Sequence, residues 1–153
     1  MFLVIVVGLM LVLPAASVLM EHGRGGAADV LLLAGKWFVF WAVGARLFLA
    51  GLRQSIQPGF TAQQLLGITG AECFVVIREL GFANMAIGIV ALASLRVPAW
   101  TPPAAVAGGL FIGLAGVAHV LRRHRSRLED VAMVTNLLVV AVLLAYCVRL
   151  VRS

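Results

Sequence analysis

The sequence predicts an all-α fold, a polytopic transmembrane helical bundle of five spans, with a short interfacial helix between spans two and three. Three observations carry that prediction. Hydrophobic residues make up 63% of the 153 and charged residues only 12%, too apolar a balance for a domain that must present a polar surface to water. The apolar residues fall in runs of about 20, the length a helix needs to cross hydrocarbon. Those runs lack the ~10-residue alternation of a barrel strand, and in lipid the backbone must satisfy its own hydrogen bonds, so each run is a helix. One transmembrane domain covers residues 1–153, with spans over about 2–20, 30–53, 71–95, 103–121 and 129–149.

The first run contains Leu13-Pro14-Ala15-Ala16-Ser17, which loosely resembles a signal-peptide cleavage region, but the basic residues that precede such a segment are missing. It reads as a retained span that Pro14 kinks, followed by a polar, glycine-rich turn over residues 21–29. Span two opens with Lys36, Trp37 and Trp41, where the lysine can reach the headgroups beside the indoles. Arg46 lies deeper, about 10 Å along the helix from Arg53.

Gln57-Pro58-Gly59 stops span two, and Thr61-Ala62-Gln63-Gln64 has the capping-box pattern of a short interfacial helix that Gly67 ends. Thr69-Gly70-Ala71-Glu72 repeats the pattern, opens span three and gives Glu72 a capping role. Span three carries Arg78, Glu79 and Asn84. The connection Val97-Pro98-Ala99-Trp100-Thr101-Pro102-Pro103 places Trp100 at headgroup level, Thr101 as N-cap and Pro102 in the first helical turn of span four. Along that span Ala105, Gly109, Gly113 and Gly116 form a small-residue stripe, suited to close packing inside the bundle or to a protein partner or homo-oligomer. A basic loop, Arg122-Arg123-His124-Arg125-Ser126-Arg127, leads to a third capping box, Ser126 to Glu129, and span five.

An odd number of spans puts the termini on opposite sides. Lysine and arginine are nearly balanced, about five a side, so the dense arginine loop decides the orientation: N-terminus cytoplasmic, in the cell (inner) membrane. The net charge of +6 sits mostly at span ends and in that loop, which fits anionic headgroups rather than nucleic acid. Cys73 and Cys147 fall at opposite ends of their spans, out of reach of a disulfide. No CxxC, HExxH or histidine-rich tract suggests a metal or cofactor, and the lone His119 lacks a second ligand at helical spacing.

An ionisable residue at membrane depth costs at least ~2.5–3.5 kcal/mol on insertion scales and normally faces protein or water. Antiparallel neighbours joined by a loop place residues level when their numbers share one sum. By that rule Arg46 is level with Glu79 and Arg53 with Glu72. Each pair is seven apart on its own helix, hence on one face, and an Arg46–Glu79 ion pair is expected. A competing seam through Gly44 and Gly81 lies about 200° around both helices and excludes the first. Arg78, His119 and Asn136 fall in the same shallow band, and Asn84 lies deeper. Arginines outnumber acids there, which suits an anionic headgroup, a carboxylate or a quinone oxygen, unless these groups satisfy one another across helices.

The segments KWFVFWAVGARLFLAGLRQ, FTAQQLLGI, VVIRELGFANMAIGIVALASL, GGLFIGLAGVAHV and EDVAMVTNL, across about residues 36–140, resemble a family of small prokaryotic integral membrane proteins whose domain has no assigned function. The resemblance implies that Arg46, Arg53, Arg78, Glu79, Asn84, His119 and Asn136 are the family's polar positions, with no role attached to them. A looser likeness, to DoxX-type four-span proteins, implies a redox or quinone-associated setting. Three readings of function follow. The first is a binding, accessory or structural component of a membrane assembly, or a lipid holder. The second is a small ion- or proton-coupled transporter using Glu79 and Arg46. The third is a quinone- or lipid-directed enzyme or redox helper built on Glu79 and His119, disfavoured because no catalytic constellation accompanies them.

Overall fold

The computed structural model describes residues 2–25, 29–65, 67, 70–121 and 127–152, with the backbone only at residues 2, 3, 64, 65 and 127–129. Five helices are long and apolar enough to cross a membrane: Val4–Gly23, Val30–Ile56, Cys73–Ala93, Pro98–Leu121 and Asp130–Val151, called spans one to five below. Among the described residues there is no strand. The basic loop after Leu121 and the capping box from Ser126 to Glu129 lie outside the described residues and side chains.

Span one does not break at Pro14. The proline ring cannot donate to the carbonyl one turn back, and the helix takes this up by widening to a π turn over Gly8–Val12, where the Leu13 amide donates to Gly8. A second π stretch, Val39–Ala45, lies in span two and packs against the first. Span two runs on past Arg53 to Ile56 and stops at Gln57, whose ψ of 61° leaves the helical region as expected of a residue preceding proline. Helical backbone resumes at Pro58 and passes into a π turn at Phe60–Leu65. Thr61 therefore lies inside that turn, buried, and is not its N-cap. Gly67 follows with φ +68°, the left-handed conformation glycine adopts without strain.

The second capping box also differs from expectation. Span three begins at Cys73, so Glu72 is the N-cap itself and makes no side-chain capping bond, while Thr69 lies outside the described residues. At the start of span four a single 3₁₀ turn, Pro98–Trp100, feeds directly into the helix, making Thr101 its first helical residue rather than a cap.

The core gathers Met10, Val39, Ala42, Val43, Leu47, Ala91, Ala104, Ala105, Ile112, Val139, Leu143 and Tyr146, so every span contributes. Glycines set the closest approaches. A Cβ at Gly35 would run into the Tyr146 ring, and one at Gly108 into the Val43 side chain, which fixes spans five and four against span two. The stripe read from span four is used inside the chain: Gly109 faces Leu143, Gly113 faces Val140 and Gly116 faces Asn136, each at ordinary contact distance. A partner docking on Gly109, Gly113 and Gly116 would have to displace span five.

One end of the bundle is pinned by polar contacts. The Lys36 ammonium donates to both Glu21 carboxylate oxygens at 2.8 Å, and the Trp37 indole donates to the same carboxylate at 2.7 Å. Lys36 is thus held by span one rather than simply reaching for headgroups. Below it the Trp41 indole donates to Ser17 at 3.1 Å. Asp29 caps span two by accepting from the Leu31 amide, and accepts from Arg149 at 2.6 Å, tying span five to the same end. Cys73 and Cys147, at opposite ends of spans three and five, are free thiols.

Candidate polar site along spans two and three

Which faces of spans two and three meet decides where every predicted polar residue ends up. The glycine seam wins. A Cβ at Gly88 would stand 2.7 Å from the Phe48 amide and 3.0 Å from the Gly44 carbonyl, and one at Gly51 would collide with the Gly81 carbonyl. Gly81 would meet Ser55 Oγ at 2.7 Å and Gly44 the Leu92 amide at 3.0 Å. Only hydrogen side chains permit backbones this close, and close backbones maximise dispersion contact where lipid offers no hydrophobic drive.

The same contacts fix the register, and it differs from the one expected. Gly51 sits between Gly81 and Met85, and Gly88 between Gly44 and Phe48. Glu79 therefore comes level with about Ser55, near the end of span two, and Arg46 with about Gly88. The loop between the spans is not symmetric, because helical backbone at residues 58–65 prolongs the span-two side. The predicted Arg46–Glu79 pair does not form. Arg53 and Glu72 do not pair either.

Pointing away from the seam, Arg53, Glu72, Arg78 and Glu79 are all exposed on the bundle surface. Arg53 lays its guanidinium 3.5 Å from the centroid of the Phe60 ring, a cation–π contact that follows from the helical resumption after Pro58. No ion pair or hydrogen bond joins Arg78, Glu79 or Glu72 to another side chain among the described residues.

Arg46 is the exception in depth. It lies well inside span two, about 24 Å from Val30 and about 15 Å from Ile56 at helical rise. Its side chain is half-buried, and among the described residues it has no hydrogen-bond or ion-pair partner. The stretch Arg46–Ile56 takes its main packing from span three alone, and Leu49, Leu52 and Ile56 on its outer side are exposed.

Inside the seam the polar chemistry belongs to Asn84, only 3% exposed, whose Nδ2 donates to Gln54 Oε1 at 2.7 Å. Its Oδ1 is buried with no partner among the described residues. Ser55 donates back to the Gly51 carbonyl at 2.8 Å and contacts Met85 sulfur. Sequence reasoning missed Gln54 and Ser55. Their signal was the spacing from Gly51, invisible while the other seam was favoured. Asn136, buried against Gly116, likewise leaves Oδ1 without a partner among the described residues. His119 is half-buried in the last turn of span four, and Glu79 faces outward on span three.

No group of three or more His, Cys, Asp or Glu gathers among the described residues in a way that could hold a metal ion. A shallow groove of about 510 Å³ opens where spans one, two and five meet, lined by Val18, Leu31, Phe38 and Val142 among other apolar side chains, away from all the residues above. Comparison with family models, with curated proteins and with solved structures finds no match for this chain.

Proposed function

We propose that this protein is a binding or accessory component of a membrane assembly, held in the cell (inner) membrane with its N-terminus on the cytoplasmic side. What supports this reading is the outward set of the charged residues: Arg53, Glu72, Arg78 and Glu79 look away from the bundle, where a partner or anionic headgroups would meet them. A carrier needs its ionisable groups to share a pathway, but Glu79 is level with the last turn of span two and not with Arg46. The quinone- or lipid-directed reading needs Glu79 and His119 to act on one substrate, and no specific observation favours it. The helical turn at residues 58–65 we assign to the interface, where Phe60 and Arg53 would lie at headgroup depth.

The test is the size of the particle that carries the full-length chain when native membranes are extracted without detergent into polymer-bounded discs. A component of an assembly travels in a particle much larger than a bundle of 16.2 kDa. A chain that travels alone from its own membrane, at native expression, overturns the reading.

A further inference from the structure

We infer that the apolar groove where spans one, two and five meet holds an acyl chain of an anionic phospholipid, with the headgroup phosphate on Arg149 and Arg152 at the groove's mouth. The inference goes beyond the accessory reading above and does not depend on it.

The groove exists because span one parts from span five partway along. Span five packs on span one over Phe2–Val12, whereas over Leu13–Gly23 span one packs chiefly on span two. The parting begins at the π turn before Pro14, and span two forms the floor between the diverging helices, with Phe38 buried and Ala34 half-buried there. Ala15, Ala34, Ala141 and Ala145 line the groove and end at Cβ, where larger side chains would fill it. Its volume of about 510 Å³ is that of a ligand cleft, and every lining side chain is apolar.

The shape selects a lipid tail over a helix. Along the floor, Leu31 to Phe38 covers about 10 Å at helical rise, within the ~15 Å of hydrocarbon that one leaflet supplies. A partner helix has to run the full ~30 Å of the hydrocarbon layer, but this groove closes where span five meets the Phe2–Val12 part of span one. An acyl chain ends at mid-bilayer and needs only the open part.

The mouth supplies the charge. Ala141, Ala145 and Arg149 follow at four-residue steps on one face of span five, and Arg152 stands three further on, so the stripe that lines the groove leads into two guanidinium groups. Asp29 accepts from the Nε of Arg149, and the same guanidinium has further N–H donors for a phosphate oxygen. With Glu21 met by Lys36 and Asp29 by Arg149, the residues Arg24, Arg96 and Arg152 leave this end of the bundle positive among the described residues. That excess favours an anionic over a zwitterionic headgroup.

The test places the intact protein in phosphatidylcholine vesicles with a trace of phosphatidylglycerol that carries a diazirine midway along one acyl chain, and maps the light-induced adducts by mass spectrometry. Adducts should concentrate on Ala34, Phe38, Ala141 and Ala145. The phosphatidylglycerol probe should label these residues about tenfold more than a phosphatidylcholine probe with the same chain. Asp29→Asn keeps a capping side chain on span two while releasing Arg149, and should raise that ratio. Arg152→Gln should lower it about threefold. Ala141→Trp, at an exposed position of the lining, should remove the groove adducts, and Val75→Trp on the exposed side of span three should not. Labelling spread evenly over the five spans, equal labelling by the two probes, or undiminished groove adducts in Ala141→Trp with an unchanged melting profile overturns the inference. Groove adducts that form in vesicles but not in the native membrane mean that another protein covers the groove, and overturn it too. The particle size that tests the accessory reading is measured independently, so the two fail separately.

Discussion

At the scale of single residues, membrane depth sorts charges into those the chain satisfies and those it leaves. Lys36 and Glu21 meet, Asp29 and Arg149 meet, and Arg46 meets nothing among the described residues. Arg46→Leu in the isolated protein should therefore raise stability, by about 2–3 kcal/mol if insertion scales carry over, measured by denaturation in mixed micelles. Arg53→Leu, at the membrane edge and stacked on Phe60, should change it by less than about 1 kcal/mol. Asn84 is the opposite case. Gln54→Ala strips its Nδ2 of a partner inside the seam and should cost about 1 kcal/mol by the same assay. The Asp29 carboxyl is held below its ordinary range, first by the Leu31 amide and then by Arg149. A depressed carboxyl adds stability that is complete above its unfolded value and is lost as pH falls through the folded one. The midpoint of thermal unfolding should drop on acidification below about pH 4, and Asp29→Asn should flatten that part of the profile.

At the scale of elements, glycine positions separate what sequence alone could decide from what it could not. Runs of apolar residues gave the five helices, because lipid leaves the backbone no alternative, and the turn at Pro58 and the bend at Gly67 were legible from residue chemistry. Capping boxes transferred poorly: Thr61 and Glu72 match a pattern that assumes a helix starting afresh, whereas Pro58 restarts one earlier and span three starts later. The polar site failed for a sharper reason. Two seams on spans two and three competed, one electrostatic and one steric, and equal depths were counted from a symmetric loop. The steric seam is the one that forms: four glycines let two backbones touch along several turns, where dispersion contact is greatest. Gly88→Leu should split the seam, costing ~3 kcal/mol or more as the Phe48 backbone is displaced. Gly8→Ala meets open space and should be neutral or stabilising by up to about 1 kcal/mol. Gly108, passed over in favour of its neighbour Gly109, is the residue of span four that cannot accept a methyl without moving Val43, so Gly108→Ala should destabilise more than Gly109→Ala.

At the scale of the whole molecule, five helices long and apolar enough to cross a membrane predict that the two ends of the chain report from opposite sides. Reporter fusions at Met1 and Ser153 should respond to an impermeant protease on different faces, and the same face for both would remove one span from the count. The polar pins between spans one, two and five sit at one end of the bundle, whereas at the other end the Arg46–Ile56 half of span two leans chiefly on span three. The π stretch at Val39–Ala45 divides those two halves. Its extra residue acts as a phase setting: everything beyond it is turned by about 100° relative to an unbroken helix. Excising one residue there would leave Trp41 and Lys36 where they are while rotating Gly51 off Gly81 and aiming Arg46 in a new direction. One codon thus tunes which surface the second half of this helix shows to its surroundings, independently of how the first half is anchored.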